Sequence, residues 1–373
     1  MNKTFHANNF HFHACVGANG NPETEAYAHG YAECVRILVK SAIKGKTSFD
    51  TIVYPIAYSA RHYIELTLKH QLTLLSIMNQ IVDSSYNYKV MAIHEISILW
   101  EDFKRLASID SRYLEIIQNA DNYILDFSEI DNNGEAFRYP YSNDNYKHLS
   151  ELYCIDINDL GNRFNELSAI LGKITLLTDQ LIGEYKQRSI VGNVSRDEIE
   201  TIAKSLPPIE TWSENSFREI KEKIKIDFSI SSKQLSKIIS FIKSHREFSF
   251  LINKEIRIEE LSNVDLKWFI NTYNNFLKNQ ATCDNYFDYL QRTIQLISRK
   301  LNKKSIASLA QLYDMGYFGL YSEEYDKGLM YIMQKSKSEI VRVYLLSNGI
   351  VKENIERGLR SMRQKTLMKE FVR

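Results

Sequence analysis

The sequence predicts an all-α fold, in which a helical bundle with a small N-terminal strand is followed by a second helical domain. Gly and Pro, which interrupt helices, number only 14 and 5 among 373 residues. Apolar residues recur at helical spacing through most of the chain, and no repeat of solenoid period is present. The apolar fraction of 44% and the charged fraction of 25% are typical of folded domains. At this length we expect two of them.

The first domain is predicted to contain, in order, a strand at residues 9–16 and helices over residues 23–43, 48–79, 94–107, 111–126 and 157–185. The strand assignment follows from alternating apolar and polar residues, and each helix has an apolar face. Ser48 or Asp50 is suited to cap the second helix. The segment around Tyr139 is expected to be irregular, because Pro140 disfavours helical backbone at the residue before it.

The paired prolines Pro207 and Pro208 mark the predicted domain boundary, since they end a helix and stiffen a connector. We therefore predict domains over residues 1–205 and 206–373. The second is predicted to contain helices over residues 216–225, 232–244, 259–278, 284–301, 304–314 and 350–370, with a turn at 314–319. It carries no motif that identifies a function.

Charge is unevenly distributed along the chain. Residues 1–204 hold 19 Lys and Arg against 26 Asp and Glu, whereas residues 205–373 hold 28 against 20, which gives net charges of −7 and +8. Such a basic C-terminal half is typical of proteins that meet nucleic acid or an acidic partner. Alternatively, the acidic and basic parts attract each other, within one chain or across a dimer.

Cysteine spacing and hydropathy indicate a cytoplasmic protein without a membrane segment. The four cysteines are widely separated and include no Cys-x-x-Cys pair, which argues against a disulfide framework or a zinc knuckle. The N-terminus lacks the order of a signal peptide, and no uncharged apolar run reaches the roughly 18 residues that span a bilayer. His6, His11, His13 and His29 cluster near the N-terminus, but no carboxylate or cysteine completes a ligand set, so we predict no metal and no other cofactor.

One predicted helix carries an ionic row beside its apolar stripe. Arg61, Glu65 and Lys69 are four residues apart and therefore share a face, and His62 lies one turn from Glu65. Two further polar side chains, His94 at a helix start and Arg138 in the irregular segment, could be brought against this row by tertiary packing. Arg61, His62, Glu65, His94 and Arg138 are the candidate catalytic residues.

These residues belong to a set of sequence pieces that, taken together, resembles the HEPN-like family of bacterial toxin and phage-defence proteins. The pieces are Ala28-His29-Gly30-Tyr31-Ala32, Tyr54-Pro55-Ile56, the helix from Arg61 to Lys69, the segment from His94 to Trp100, and Phe137-Arg138-Tyr139-Pro140. They cover roughly residues 10–185. The resemblance implies a helical bundle that forms a homodimer or a larger homo-oligomer. It also implies metal-independent endoribonuclease activity, which many HEPN proteins carry on an Arg and a His spaced four to six residues apart.

The chemistry of that pairing is well defined. A His exchanges protons near neutral pH, and an Arg holds a phosphate through two hydrogen bonds. In this chain no Arg is followed by a His at that spacing, and Arg61 and His62 point about 100° apart on the helix. Two interpretations stay open. Either His62 or His94 acts as acid or base, oriented by Glu65, with Arg61 or Arg138 on the phosphate, or these residues form a buried structural network.

The C-terminal half offers candidates for nucleic-acid binding. A basic amphipathic helix near the C-terminus and the basic residues around 232–246 suit phosphate contact, although a solvated helix face is the commoner explanation of such a pattern. The candidate residues are Lys233, Lys237, Lys243, Arg246, Arg357, Arg360 and Arg363.

From the resemblance we expect an effector of antiviral defence or toxin type that binds or cleaves RNA. One alternative is a non-catalytic HEPN-like assembly or sensor module that docks a partner defence protein. A third is recognition of a nucleotide signal by the bundle. Whether the protein is an enzyme is left open, because the usual Arg–His spacing is absent.

Overall fold

The computed structural model describes residues 4, 13–17, 19, 23–88, 92–192, 194–280, 285–347 and 349–371. Over these residues the regular structure is helical, with β structure limited to two isolated bridges, which confirms the predicted all-α class. The predicted N-terminal strand is wrong for residues 13–16, which have no regular structure, while its first part lies outside the described residues. The chain divides into two compact units, Met1–Lys186 and Gln187–Arg373.

In the described part of unit 1 five helices form a bundle, with bounds α1 Thr24–Ile43, α2 Phe49–Val82, α3 Ile96–Ala107, α4 Tyr113–Asp131 and α5 Ile157–Lys186. Helix α2 is the central element and packs against α1, α3 and α5. Its stripe of Ile64, Leu68, Leu72 and Leu75 is fully buried. The predicted helices therefore agree with the observed ones to within a few residues at each end.

The connection between α4 and α5 is irregular, as Pro140 led us to expect. It begins with a tight turn around Gly134 and continues into a loop whose two sides are joined by backbone hydrogen bonds. Within that loop the backbone amide of His148 donates to Pro140 O at 3.0 Å, and the amide of Ser142 donates to Tyr146 O at 2.9 Å. The loop is thus held in shape by its own backbone.

Unit 2 consists of shorter helices, with bounds α6 Arg196–Ser205, α7 Asn215–Asp227, α8 Ser232–Ser244, α9 Arg246–Leu251, α10 Asn263–Gln280, α11 Tyr286–Lys300, α12 Lys303–Phe318, α13 Tyr325–Ile332, α14 Lys337–Ile340, α15 Val351–Ser361 and α16 Lys365–Met368. A π-helical turn, Val341–Leu345, follows α14. The apolar side chains of unit 2 form two hydrophobic clusters, one from residues between 191 and 252 and one from residues between 258 and 371.

The observed division of the chain lies well before the paired prolines at which we placed the domain boundary. Helix α6 belongs to unit 2 because Ile199 and Ile202 are buried in the same cluster as Ile238 and Phe248. The prolines therefore end a helix inside unit 2. The charge asymmetry persists at the observed division, with 16 Lys and Arg against 23 Asp and Glu in unit 1 and 31 against 23 in unit 2.

Helices α12 and α15 approach each other closely enough that two of their residues must be glycine. A Cβ at Gly358 would lie 2.1 Å from Leu312 O, and one at Gly316 would lie 1.9 Å from Asn354 O. The predicted turn at residues 314–319 is wrong: α12 continues to Phe318 and ends at Gly319, whose φ is +65°. The single helix predicted over 350–370 is interrupted between α15 and α16.

Candidate functional site

The side chain of Arg61 is buried at the centre of the predicted site, and backbone oxygens from two other segments hold it there. Its Nε donates to Asp131 O at 3.2 Å, and its Nη2 donates to Asn132 O at 2.8 Å and to His94 O. Its Nη1 donates to Glu65 Oε2, one helical turn along α2. Only 2% of Arg61 is exposed. Its guanidinium is therefore committed to the fold and is not available to a phosphate.

The turn after α4 is shaped to fit this guanidinium. Gly134 has φ of +82°, and a Cβ on it would lie 2.8 Å from Arg61 Nη1. The Asn132 side chain caps α3, since its Oδ1 accepts from the amide of Ser97 at 2.9 Å. This short turn therefore accepts hydrogen bonds from the Arg61 guanidinium and also caps α3, the helix that begins after His94.

The carboxylate of Glu65 is the acceptor around which the other groups gather. Its Oε1 accepts from Lys69 Nζ at 2.7 Å and faces His94 Nδ1 at 2.9 Å, and its Oε2 lies 3.7 Å from His62 Nδ1. Burial alone would raise the pKa of Glu65, but these contacts and the charge of Arg61 hold it well below its ordinary value. Glu65 is therefore ionised. We refer to Arg61, His62, Glu65, Lys69 and His94 as the Glu65 cluster.

Aromatic rings extend the Glu65 cluster to the surface. The His62 ring stacks on Tyr58, with ring centroids 5.6 Å apart, and meets the edge of Tyr31 at 4.5 Å. The Arg138 guanidinium lies over the same Tyr58 ring, 5.6 Å from its centroid. Tyr58 therefore joins Arg138 to His62, although the two come from segments far apart in sequence.

The five candidate residues differ in their access to solvent. Arg61 and Glu65 are buried, His62 is half-buried, and Arg138 and His94 are exposed, with 63% of the His94 side chain accessible. Because an ionised carboxylate can only accept, His94 Nδ1 carries the proton that faces Glu65. The Nε2 of His94 lies on the other side of the ring and has no partner among the described residues. That is the arrangement of a base oriented by a carboxylate.

The structure brings all five predicted residues, and Lys69 of the predicted ionic row, to one region of unit 1. It adds Tyr58, Asn132 and Gly134, which the sequence did not place there. Tyr58 lies one turn from His62 along α2, so its spacing was the available signal. Asn132 and Gly134 gave no such signal, because their contacts with Arg61 involve the backbone.

A groove of about 640 Å³ is lined by Arg138, the residue whose guanidinium also lies over the Tyr58 ring. Its walls are the first turns of α2 and the irregular segment that follows Gly134. We name it the tyrosine groove; its principal lining residues are Tyr54, Arg138, Tyr139, Lys147, His148 and Tyr153. Lys147 and Arg138 are exposed. Asp50 supplies the one carboxylate among the side chains that line it.

The basic candidates of unit 2 fall into two groups. Lys233, Lys237 and Arg357 are exposed, and the described residues supply no acidic partner to them. The others have partners within the unit: Arg246 with Asp326 at 2.6 Å, Arg360 with Glu356 at 2.6 Å, Arg363 with Glu247 at 3.6 Å, and Lys243 over the Trp212 ring at 4.6 Å. Nucleic-acid binding by these residues stays a prediction.

Unit 2 also contains a buried ionic network that the sequence did not indicate. The Arg196 guanidinium contacts Glu247 and donates to Glu323 at 3.1 Å, and Ser189 Oγ donates to Glu323 at 2.5 Å. His245 Nε2 lies 3.0 Å from the same carboxylate. Burial would raise the pKa of Glu323, but His245 and Arg196 hold it well below its ordinary value. The charges of Arg196, Glu247 and Glu323 therefore compensate one another.

Neither metal ligation nor a membrane span is found in the parts of the chain that the structure covers. No three His, Cys, Asp or Glu side chains there are grouped so as to hold a metal ion. His6 and His11 of the histidine-rich N-terminus lie outside the described residues. Of the described helices, none combines the length and the apolar character needed to cross a bilayer.

Comparison of the chain with protein-family models, with curated proteins and with solved structures gave no match.

Proposed function

We propose that unit 1 binds RNA at the surface formed by His62, His94 and Arg138, within an effector of antiviral defence or toxin type. The observation that carries the proposal is the arrangement of three accessible side chains. His62 and His94 adjoin Glu65, whose charge is already compensated by Arg61 and Lys69, and Arg138 lies over the Tyr58 ring on which His62 stacks. The defence setting rests on the resemblance of residues 10–185 to HEPN-like proteins.

Arg138 is the residue suited to a phosphate. Its Nε donates to Gly134 O, which orients the guanidinium, while its two terminal nitrogens have no acceptor among the described residues. The Tyr58 and Tyr139 rings lie 5.6 and 5.3 Å from its Cζ and shield one part of it from water. An oriented, exposed guanidinium of this kind presents a fork of donors to a phosphate.

The contact between Arg61 and residue 94 involves the backbone of His94 and not its exposed imidazole ring. Arg61 is held by the backbone oxygen of His94, not by its side chain. Replacing His94 by Ala therefore leaves the oxygen that Arg61 needs and removes only the imidazole. His94→Ala therefore keeps every contact of Arg61 but removes the Nδ1 contact with Glu65, so its thermal melting is compared with that of the parent.

Cleavage is a second candidate function, favoured by one contact, the 2.9 Å approach of His94 Nδ1 to Glu65. In a metal-independent transesterification, His94 Nε2 would take the proton of the 2′-hydroxyl. The oxygen would then attack the adjacent phosphate and expel the 5′-oxygen, which is protonated by water or by His62. Arg138 would stabilise the charge on the phosphate. The absence of a free Arg on the same helix places this candidate second.

The test measures RNA binding and cleavage in the same samples. Full-length protein is titrated into a labelled single-stranded RNA 20-mer in EDTA at several salt concentrations, and the product is analysed on a gel. We expect Arg138→Ala to weaken binding at least tenfold, as for a lost charged hydrogen bond, and to lower the salt dependence by about one counterion. Arg163→Ala, an exposed arginine paired with Asp126, is the matched control and should bind like the parent.

His94→Ala separates the two functions. We expect it to retain binding within a few-fold, and if the protein cleaves RNA, to lose cleavage. His29→Ala, also exposed and also near a glutamate, serves as its control. No retention of RNA by the parent at low salt would overturn the proposal and favour the alternative, a non-catalytic module that docks a partner defence protein. Light scattering on the same samples tests for the homodimer or larger assembly that the resemblance implies.

A further inference from the structure

We propose that unit 2 carries a docking groove for a short acidic peptide segment of a partner protein, which packs an aliphatic side chain into the groove and places carboxylates on its lysines. The site is a groove of about 330 Å³ between α7 and α8. We name it the Trp212 groove; its principal lining residues are Trp212, Phe217, Lys221, Leu235, Ile239 and Lys243. It lies in unit 2, so this assignment does not depend on RNA binding by unit 1.

The helical period explains which side chains line the Trp212 groove. Each of the two helices contributes three residues spaced four apart, which therefore share one face. They are Phe217, Lys221 and Lys225 on α7, and Leu235, Ile239 and Lys243 on α8. Phe217 and Leu235 are buried and the lysines are half-buried. The groove therefore combines an apolar floor with a cationic rim.

Two aromatic rings and two lysines form a layered stack in this groove. The Trp212 and Phe217 rings are stacked, with their centroids 4.6 Å apart. Lys243 Nζ lies over the Trp212 ring at 4.6 Å from its centroid, and Lys221 Nζ lies over the Phe217 ring at 4.9 Å. Because each ring covers one face of the other, the two ammonium groups lie over the outer faces. Trp212 Nε1 donates to Pro207 O at 2.9 Å, which holds the stack in position.

The charge of the groove favours an acidic occupant. Glu222 is the one carboxylate among its lining side chains, and it pairs with Lys225 at 2.6 Å. Lys221 and Lys243 have no acidic partner among the described residues. Their contacts with the rings leave ammonium donors available to carboxylates. Unit 2 as a whole is also positively charged, which attracts a partner of opposite sign.

The stack favours a peptide over a nucleic acid. A base stacks on an open ring face, and both faces of Trp212 and of Phe217 are already covered. An aliphatic side chain needs no such face and can pack against Ile239. The Ser236 and Ser240 hydroxyls, which line the groove, donate to backbone oxygens one turn earlier at 2.8 and 2.9 Å. Their own oxygens are therefore left to accept from a peptide N–H.

The experiment lets the protein select its own peptide. Full-length protein is panned against a random 12-residue peptide library displayed on phage, and the enriched peptides are synthesised with a fluorescent label for anisotropy titrations at two salt concentrations. We expect them to contain several Asp or Glu and at least one Leu, Ile or Val, and to bind less tightly at higher salt. Replacing their acids by amides, or their aliphatic residues by Ser, should each weaken binding about tenfold.

Variants of the groove have matched controls on α7. We expect Lys221→Ala to weaken peptide binding several-fold and Ile239→Ser to weaken it about tenfold. Lys223→Ala and Ile226→Ser, which change exposed residues outside the lining, should bind like the parent. Thermal melting of each variant is compared with that of the parent. If Ile239→Ser melts early, Lys243→Glu, which keeps the apolar floor, replaces it and should abolish binding.

Each outcome decides the assignment. Acidic peptides whose binding depends on both Lys221 and Ile239 support it. No enriched peptide, enriched peptides without acidic residues, or equal binding by Lys221→Ala and Lys223→Ala would overturn it. Binding of a single-stranded RNA 20-mer that falls in Ile239→Ser would identify a nucleic acid as the occupant, and an assembly that Ile239→Ser dissociates in light scattering would identify a second copy; either result also overturns the partner peptide. Peptide and RNA binding are measured with separate probes and variants, so the loss of one does not bear on the other.

Discussion

Gly134 packs directly against the guanidinium of Arg61, so closely that any larger residue would meet it. The turn also has a positive φ of 82°, which L-residues rarely adopt. These two constraints act together at residue 134. Gly45 has a similar φ of 68° but nothing within 4 Å of its missing Cβ, so it isolates the backbone constraint.

We therefore expect Gly134→Ala to destabilise unit 1 more than Gly45→Ala does. The backbone alone costs about 1–2 kcal/mol in each variant, and displacement of the guanidinium adds about 1–3 kcal/mol at residue 134. Urea unfolding followed by Trp100 fluorescence, in a background with Trp212 and Trp268 changed to Phe, reports on unit 1. Equal destabilisation of the two variants would show that the contact with Arg61 does not contribute to the free energy of unfolding.

Removal of Arg61 should destabilise unit 1 severely. Arg61→Ala leaves Glu65 buried with one fewer compensating charge and leaves the oxygens of Asp131, Asn132 and His94 without their donor, which together cost about 3–5 kcal/mol. The exposed pair of Arg163 and Asp126 provides a control, since Arg163→Ala should cost less than about 1 kcal/mol. The same fluorescence measurement compares them. A folded, parent-like Arg61→Ala variant would contradict the structural role.

The stability of unit 1 should depend on the ionisation of Glu65. Its pKa is lowered by folding, so the stability that it contributes is fully present above its unfolded value of about 4.3 and is lost as the pH falls toward the folded value. We expect Glu65→Gln to be clearly less stable than the parent at pH 7 and the difference to shrink steadily below pH 4. Unfolding free energies of both proteins between pH 3 and 7 measure this difference. A gap that stays constant with pH would exclude the linkage.

Two helical glycines should respond to alanine with opposite signs. Gly358→Ala would place a Cβ 2.1 Å from Leu312 O, and since two helix backbones must separate to relieve the clash, we expect a loss of about 3 kcal/mol or more. Gly172 lies in α5 with open space around it, so Gly172→Ala should stabilise unit 1 by up to about 1 kcal/mol. Thermal melts of both variants decide the matter. A harmless Gly358→Ala would mean that α12 and α15 are not in close contact.

Much of the fold follows from local pattern. The four-residue spacing of Ile64, Leu68 and Leu72 predicts both the existence of α2 and its buried face, and the ionic row of Arg61, Glu65 and Lys69 follows from the same period. The domain division did not follow, because paired prolines end helices inside domains as well as between them. Periodicity also missed the short helices of unit 2, where few turns are available to establish a pattern.

The site was predictable only in part. Side chains on α2 could be placed by spacing, and His94 and Arg138 could be added from the family resemblance. The partners of Arg61 outside α2 could not be predicted, because they are backbone oxygens. Every residue has one, so the sequence does not distinguish the residues that supply them. The tyrosine groove also depends on the shape of an irregular segment that no periodicity describes.

The position of Arg196 has a practical consequence for making fragments of this protein. Its guanidinium lies over the rings of both Phe248 and Tyr321, 5.0 Å from each, and contacts Glu247 and Glu323. If the chain were divided between the two hydrophobic clusters, Arg196 and Glu323 would lie on different fragments. Each fragment would then carry one of these charges on an apolar surface newly exposed to solvent. Expression of the C-terminal part alone should therefore begin before Ser189 and keep both clusters in one polypeptide.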